Sequence, residues 1–414
     1  MKGNKGKKGV KVNRKELIGT VDIGMKTNYG YFRTWEREET PPFPFENNAR
    51  GFLYYHRKMR EFMNAHGLEN AVVGFESTGV YGEPLIHYML KKGVRLVQVN
   101  PMHTKRVKEL DGNSPNKTDR KDPRVIADIM MLGHTLSVVI PQGAVAELRN
   151  LVHARERALA LRTVCFNQVH GLVYRVFPEL IDCMKHIDSA SVRYLIRHHP
   201  TPEEIVWLGV EELSAILRKV SRGRYGKREA HALWEAAVTA VGIREGRGAV
   251  LMEIGHLLDL IEQGDAYSKE LEHRMEIGLS QVPSSTYLLS MKGIGVVSAA
   301  CLIGEVGDFA HDRSAAELVK FAGLNLYEIS SGIHKGKRRI TKRGRPLMRK
   351  ILYLAAMNMV RTGGIFHEQY QKMVKRGMPR PQALVAISRK LLRVAFALVR
   401  DEKVYTASTR QQAA

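Results

Sequence analysis

The sequence predicts a mixed α/β domain at the N-terminus, followed by a mostly helical remainder. Over about the first 140 residues, short apolar runs rich in β-branched residues alternate with helical patterns. From Val145 onwards the apolar residues recur at a spacing of three and then four. The first pattern is typical of an α/β layer with a mixed sheet, and the second is typical of helices.

The N-terminal elements follow one another in a regular order. Helical patterns are predicted over 48–66 and in EPLIHYMLKKG, which Gly93 closes, and proline-rich TPPFPFEN is predicted to be a loop. The predicted strands are ELIGTVDIG (16–24), YGYFRTW (30–36), NAVVGFEST (70–78) and VRLVQVNP (94–101).

Two long helical patterns, 145–177 and 250–279, dominate the middle of the chain. They predict an antiparallel helical arm or a dimerising coiled coil, and the alternative is one ordinary helical subdomain. The predicted organisation is a disordered basic arm (1–15), the α/β domain (16–140), a helical or coiled-coil linker and dimerisation region (141–284), a mostly α-helical C-terminal domain (285–402) and a tail (403–414).

The charge of the chain indicates a polyanionic partner. Lys and Arg number 65 against 42 Asp and Glu, which gives a net charge of +23. Binding to a membrane surface is the rival interpretation, but no basic amphipathic helix or lipidation signal stands out. The basic start has no apolar segment, so we expect neither a signal peptide nor a membrane span. The three cysteines form no CxxC motif, which favours reduced thiols in a cytoplasmic protein.

Four carboxylates stand out by their positions. Asp22 and Glu76 end apolar strands, and Asp119 and Asp122 lie one helical turn apart in KTDRKDP. Buried carboxylates are costly unless they are paired or bound to metal, and four of them can hold two hard cations for phosphoryl transfer. Each acid taken singly has a structural explanation, and Asp122 before Pro123 fits a helix N-cap.

A serine pair lies within a strongly basic stretch, SSGIHKGKRRITKRG (330–344). The stretch contains one histidine, His334, and no acid, so the acid of a hydrolase triad is missing here. Either this is a polar turn beside a nucleic-acid-binding patch, or the serine attacks an anionic substrate. The candidate nucleic-acid contacts are Lys335, Lys337, Arg338, Arg339, Lys342, Arg343 and Arg345.

A second C-terminal motif, SMKGIGVVSAACLIGEV, predicts a tight turn between two helices. One interpretation is a helix-hairpin-helix turn whose backbone amides hold a phosphate. The other is a turn that serves packing alone.

Taken in order, VDIGMKT, GFESTGVYGEPL, VNPMHTKRVK and NKTDRKD resemble the RuvC-like (RNase H-like) DEDD domain of insertion-sequence-110 family transposases. The segments SMKGIGVVSAACLIGEVGDF and FAGLNLYEISSGIHKGKRRITKRGRPLMRKILYLAA resemble that family's C-terminal transposase domain. The matching segments cover most of 16–140 and 285–400, with a helical linker between them.

The resemblance implies an RNA-guided DNA recombinase. A structured bridge RNA would pair with double-stranded target and donor DNA. The enzyme would assemble as a tetramer of two dimers and act on the nucleoid in the cytoplasm of a bacterium or archaeon. The magnesium-binding acids would be Asp22, Glu76, Asp119 and Asp122, and they would act with a serine from another protomer.

Carried onto this sequence, the family's serine nucleophile falls on Ser331, and its neighbour Ser330 stays open as the alternative. The chain departs from the family where Pro123, rather than alanine, follows the fourth acid. Proline disfavours helical dihedrals at the residue before it, here Asp122.

Two other functions remain open from the sequence. A RuvC-like endonuclease or Holliday-junction resolvase would need the acids but not the serine. A non-catalytic nucleic-acid scaffold would need neither. The acids and the serine motif together favour the recombinase.

Overall fold

The structure is a computed structural model. It describes residues 12–76, 79–101, 103–104, 107, 122–137, 141–184, 186–307, 309, 314–328 and 338–406. The chain forms two compact units, Met1–Val139 and Ile140–Ala414, which are described separately below.

The first unit is built on a mixed six-stranded sheet with the order β3-β2-β1-β4-β5-β6. Strands β1, β4 and β5 run parallel, and the other neighbouring strands pair antiparallel. The strands are β1 (Glu16–Asp22), β2 (Thr27–Arg33), β3 (Phe43–Glu46), β4 (Asn70–Glu76), β5 (Arg95–Val99) and β6 (Thr135–Ser137). The prediction of a mixed α/β N-terminal domain is confirmed.

Helices cover both faces of this sheet. Helices α1 (Ala49–Ala65) and α2 (Glu83–Lys91) pack on one face, where Leu17 and Val21 of β1 contribute to the core. Helix α3 (Asp122–Met131) packs on the other face, against Ile18 of β1. Consecutive residues of β1 therefore serve two different cores, as the pleat of a strand requires.

Strand β3 corrects the predicted proline-rich loop. Phe43 and Phe45 are buried, whereas Pro44 and Glu46 are exposed. This alternation is typical of a strand. The strand lies at the edge of the sheet, where a proline without an N–H group breaks no interior ladder. The alternating phenylalanines outweighed the proline signal.

The second unit is mostly helical, as predicted. Its elements are α4 (Gly143–Val176), α5 (Pro178–Cys183), α6 (Ala190–His198), α7 (Pro202–Val220), α8 (Lys227–Val238), α9 (Arg247–Ser280), α10 (Ser284–Leu289), α11 (Val296–Val306), α12 (Ala315–Phe321), β7 (Leu326–Tyr327), β8 (Arg339–Ile340), α13 (Pro346–Met359), α14 (His367–Lys375) and α15 (Arg380–Arg400).

The two long helices, α4 and α9, pair antiparallel within one chain. Arg155 contacts Glu272 at 2.7 Å, and Arg162 contacts Asp265 at 2.6 Å, so the contacts run in opposite directions along the two helices. One end of the pair packs with α10–α15, and the other end packs with α5–α8. The predicted boundary at 284/285 therefore falls inside one compact unit, because the first of these two cores contains residues from both sides of it.

Among the described residues, none of the helices combines the length and the apolar character that crossing a lipid bilayer requires.

Candidate functional site

The first two predicted acids lie side by side at one edge of the sheet. Strands β1 and β4 are parallel neighbours, and the last pair in their ladder is Val21 with Phe75. The next residue on each strand is Asp22 and Glu76 respectively, and both are half-buried. Neighbouring strands lie about 4.8 Å apart, so both carboxylates reach the same small region.

Both acids also belong to the face of the sheet that α3 covers. Side chains two residues apart on a strand share a face, so Asp22 lies on the same face as Thr20. The Thr20 hydroxyl donates a hydrogen bond of 2.8 Å to the carbonyl oxygen of Pro123, in the first turn of α3. On β4, a Cβ added at Gly74 would lie 2.2 Å from the Met130 sulfur of α3. The first turn of α3 is thus brought to the edge where the acids lie.

Helix α3 begins at Asp122 itself, with Pro123 as its second residue. The expectation that Pro123 keeps Asp122 out of the helix is therefore not met. A proline in the first helical turn loses no intrahelical hydrogen bond, since that N–H has no partner in any helix. Asp119 and the side chain of Asp122 lie outside the described residues.

The donors that meet at this edge are suited to a hard cation. Carboxylate oxygens are the ligands that Mg²⁺ prefers, and two of them lie on adjacent strand ends. Among the described residues, no group of three or more His, Cys, Asp or Glu side chains forms a metal site. The predicted set of four acids includes two residues, Asp119 and Asp122, whose side chains fall outside that description.

Two asparagines that sequence reasoning missed form hydrogen bonds to the segments that follow Asp22 and Glu76. Asn47 donates through Nδ2 to the carbonyl oxygens of Gly24 (3.0 Å) and Tyr81 (3.1 Å). Asn28, which is fully buried, donates to Asn47 Oδ1 at 3.2 Å. No local sequence signal marks these residues, because their partners lie on other elements.

The predicted serine nucleophile belongs to a segment that a small hairpin flanks. Ser330, Ser331, Lys335 and Lys337 fall within 329–337, outside the described residues. Strands β7 and β8 enclose that segment, with Tyr327 paired to Arg339. Arg338 Nε donates to Glu328 at 2.8 Å, so an ion pair joins the two residues on either side of the segment.

The basic residues after the serine segment divide into two groups. Arg338 is paired with Glu328, and Arg345 Nε lies 3.5 Å from Glu305. Arg339, Lys342 and Arg343 are exposed, and none of them has an ion pair among the described residues. Arg338 is also exposed, and its pair with Glu328 lies at the surface, so Arg345 is the residue of the five that is least open to external phosphates.

Comparison with known proteins connects these two regions. A family model described as "Transposase", of the DEDD type found in IS110 elements, matches residues 20–178. A second family model, described as "Transposase IS116/IS110/IS902 family", matches residues 285–371. The first match contains all four predicted acids, and the second contains the serine segment with its seven basic residues. The chain belongs to the IS110 family of transposases.

Several curated proteins are similar to this transposase over most of its length. The insertion element IS110 uncharacterized 43.6 kDa protein of Streptomyces coelicolor is 27% identical over 292 residues, 70% of this chain and 72% of the relative. The insertion element IS900 uncharacterized 42 kDa protein of Mycobacterium paratuberculosis is 26% identical over 332 residues, 80% and 83% of the two chains. A pilin gene-inverting protein of Moraxella bovis is 27% identical over 407 residues, 94% and 98%.

Membership of the family makes this chain an enzyme of DNA transposition and recombination that acts on DNA. The DEDD type of its N-terminal domain suggests a divalent metal.

A buried glutamate connects α4 to Arg345, a residue that follows the serine segment. Glu305, on α11, is 2% exposed and forms a 2.7 Å hydrogen bond with His153 Nε2 of α4. Burial alone would raise the pKa of Glu305, but the hydrogen bond from His153 and the charges of Arg345 and Arg149 hold that pKa below its usual value. The carboxylate therefore stays ionised and anchors Arg345, the last residue before α13.

The glycine motif forms a tight turn between α10 and α11. Gly293 has φ +111, and a Cβ there would lie 2.7 Å from Met359 Cγ. Gly295 precedes the first residue of α11 in an extended conformation. The close approach to Met359 explains Gly293 by packing, and phosphate binding at α11 stays a prediction.

Proposed function

We propose that this transposase is an RNA-guided recombinase that cuts and rejoins target and donor DNA through a covalent serine–DNA intermediate. The observation that carries the proposal is the meeting of Asp22, Glu76 and the first turn of α3 at one sheet edge. The serine segment supplies what hydrolysis by metal alone would not need, a nucleophile in a basic stretch of the sequence.

The acidic domain is inferred to have a RuvC-like fold. Its support is the order β3-β2-β1-β4-β5, in which an antiparallel meander is extended by two parallel strands. In this arrangement the first acid ends the strand in the middle of these five. Magnesium would be held by Asp22, Glu76, Asp119 and Asp122, and when bound it would activate an oxygen nucleophile and neutralise charge in phosphoryl transfer.

The chain's own groups would carry the reaction through two successive transesterification steps. The Ser331 oxygen forms a bond to phosphorus as the bond from phosphorus to a sugar oxygen breaks. The serine gives up its proton, and the departing sugar hydroxyl takes one up. Attack by a sugar hydroxyl of the other DNA then reverses the chemistry and frees Ser331. Because the phosphoserine conserves the bond energy, strands are rejoined without a high-energy cofactor.

The exposed cations would bind the DNA backbone during these steps. Arg339, Lys342 and Arg343 supply charge for phosphates and for the transition state. Arg338 and Arg345 would act mainly within the chain, through Glu328 and Glu305, and their direct contact with nucleic acid remains a prediction.

Assembly is inferred to use the α4–α9 pair. Leu161 and Val164 of α4 are exposed by 59% and 53%, and Tyr267 of α9 is exposed by 50%. Apolar side chains on such a helical pair suit a dimer interface, and two dimers would give the tetramer in which acids and serine come from different protomers.

The guided part of the proposal is tested by the RNA that the protein retains. The protein would be expressed with several hundred bases of its native flanking DNA, purified, and its bound RNA sequenced. A single structured species from the flank is expected. Heterogeneous cellular RNA, or none, would contradict guidance and leave a metal-dependent endonuclease or junction resolvase as the better account.

A further inference from the structure

Asn47 joins two segments that follow the first two acids: the turn at 24–26, called the first loop, and the short 3₁₀ helix Gly79–Gly82, called the second loop. Its Nδ2 lies 3.0 Å from the Gly24 carbonyl oxygen, 3.4 Å from that of Met25 and 3.1 Å from that of Tyr81. Gly24 comes two residues after Asp22, and Tyr81 comes five residues after Glu76. One amide group therefore bridges the ends of two adjacent parallel strands.

The orientation of this amide is fixed from behind by Asn28. Asn28 Nδ2 donates to Asn47 Oδ1 at 3.2 Å, so the oxygen of the Asn47 amide is used and its NH₂ group points at the loops. Asn28 Oδ1 accepts from the Gly24 N–H at 3.1 Å. A fully buried asparagine with both ends bonded cannot turn without losing hydrogen bonds.

The backbone of the first loop is fixed as well. The Asn47 N–H donates to the Lys26 carbonyl oxygen at 2.8 Å. A Cβ at Gly24 would lie 2.3 Å from the Thr27 carbonyl oxygen, so the turn after Asp22 is too tight for any other residue. The turn is thus rigid, and its link to the second loop passes through the Asn47 side chain.

We propose that Asn47, oriented by Asn28, is a positioning residue that sets the separation of Asp22 and Glu76 and thereby the affinity of the acidic site for a divalent cation. This inference rests on the proposed metal-binding function of those acids. Groups that orient metal ligands typically change metal affinity or activity about 10–100-fold when they are removed.

The test measures Mn²⁺ binding to the full-length protein by calorimetry, with the melting temperature in EDTA as the measure of folding. Asn47→Ala removes the bridge, and Asn47→Leu keeps a similar size without hydrogen bonds. Both replacement side chains are uncharged. An aspartate would add negative charge beside the acids and so change cation affinity by itself. We expect each to raise the Mn²⁺ dissociation constant about 10–100-fold.

The neighbouring residue supplies the matched control. Asn48 caps α1 by accepting from the Gly51 N–H at 3.0 Å, and its Nδ2 donates to Glu46 Oε2 at 3.0 Å. Asn48→Ala should lower the melting temperature and leave Mn²⁺ affinity unchanged. Wild-type affinity in the folded Asn47 variants, or an equal loss in Asn48→Ala, would overturn the inference.

An Asp22→Asn arm separates this inference from the proposed function. Loss of Mn²⁺ binding in Asp22→Asn together with unchanged binding in the Asn47 variants would refute the positioning role alone. Unchanged binding in Asp22→Asn would refute the acidic metal site itself.

Discussion

The acidic edge of the first unit and the short strands that flank the serine segment in the second unit are built in different ways. At the acidic edge, the ladder between β1 and β4 places the two acids side by side, Thr20 bonds to α3, and Asn47 bridges the segments after the acids. Around the serine segment, a two-residue ladder is supplemented by ion pairs at Glu328 and Glu305. Backbone pairing therefore dominates in the first region, whereas ion pairs accompany a shorter ladder in the described part of the second region.

This difference bears on which residues are available for function. Arg345 is half-buried beside Glu305, so this part of the positive charge after the serine is less open to phosphates than the exposed residues. For phosphate binding, the surroundings of each basic residue matter as well as the number of charges. Arg339, Lys342 and Arg343 are exposed and have no ion pair among the described residues. Arg338 and Arg345 each have one.

The largest effect on activity is expected when the serine of the second unit is replaced. Ser331→Ala should abolish strand exchange, because no other hydroxyl in the correct register would form the covalent intermediate. Ser330→Ala should retain activity and serves as the matched control. An assay of recombinant joints on paired donor and target DNA measures both, and loss in Ser330→Ala with activity in Ser331→Ala would reassign the nucleophile.

The acids offer the next largest effect. Asp22→Asn or Glu76→Gln should lower the rate of strand exchange by about 10³-fold or more, since removal of metal-ion stabilisation costs several kcal/mol. RNA retention and the melting temperature in EDTA should stay close to wild type. A scaffold without catalysis would instead show unchanged function in the variants.

The role of Glu305, which pairs with Arg345 after the serine segment, is tested by measuring the stability of the protein. Glu305→Gln should destabilise the second unit by about 1–3 kcal/mol near pH 7, a value below that of a fully buried ion pair because His153 and Arg345 are partly exposed. The pKa of Glu305 is lowered in the folded state, so its contribution is present above the unfolded pKa and is lost as the pH falls through the folded pKa.

Unfolding by urea at a series of pH values measures this difference. The gap between wild type and Glu305→Gln should be widest near neutral pH and should close in acid. Glu156→Gln, which breaks the more exposed pair with Lys350, is the control and should cost about 0–1 kcal/mol. A gap that widens in acid would contradict the assignment.

The smallest effect is expected at Lys342. Its φ of +54 lies in the left-handed region that favours glycine, and the residue is exposed. Lys342→Gly should therefore raise stability by about 0.5–1 kcal/mol. It should also weaken DNA binding. A plot of the logarithm of the DNA association constant against the logarithm of salt concentration should become shallower by about 1, because one phosphate contact is lost.

Arg222 allows a matched control for Lys342. It is also exposed, basic and left-handed, with φ +54, but it lies in the turn after α7. Arg222→Gly should give the same gain in stability with an unchanged salt slope. Equal changes of slope in both variants would show that Lys342 contributes general charge only.

Local patterns in the sequence predicted much of this fold, because strand alternation and helical spacing are visible without tertiary contacts. The ends of β1 and β4 and the long helices α4 and α9 fall within a few residues of their predicted limits. Strand β3 was missed because proline signalled a loop, and β6 was missed because three residues carry too little pattern.

The candidate site was predictable only where chemistry coincided with such patterns. Asp22 and Glu76 stood out as acids at the ends of apolar strands. Asn47 and Glu305 did not, since their roles depend on partners from distant parts of the chain, such as Tyr81 and His153. Leu161 lies within the predicted helical pattern 145–177 and is 59% exposed, because the spacing of apolar residues does not say which of them the partner helix covers.

The central claim is that the acids and the serine act in one reaction, and the covalent intermediate tests it most directly. Recombination on donor and target DNA would be stopped by denaturant, and the DNA-linked peptide would be identified by mass spectrometry. The account predicts a phosphodiester link to Ser331 in the wild type and no adduct in Asp22→Asn or without divalent metal. DNA cleaved in a metal-dependent way, with no protein attached, would contradict it.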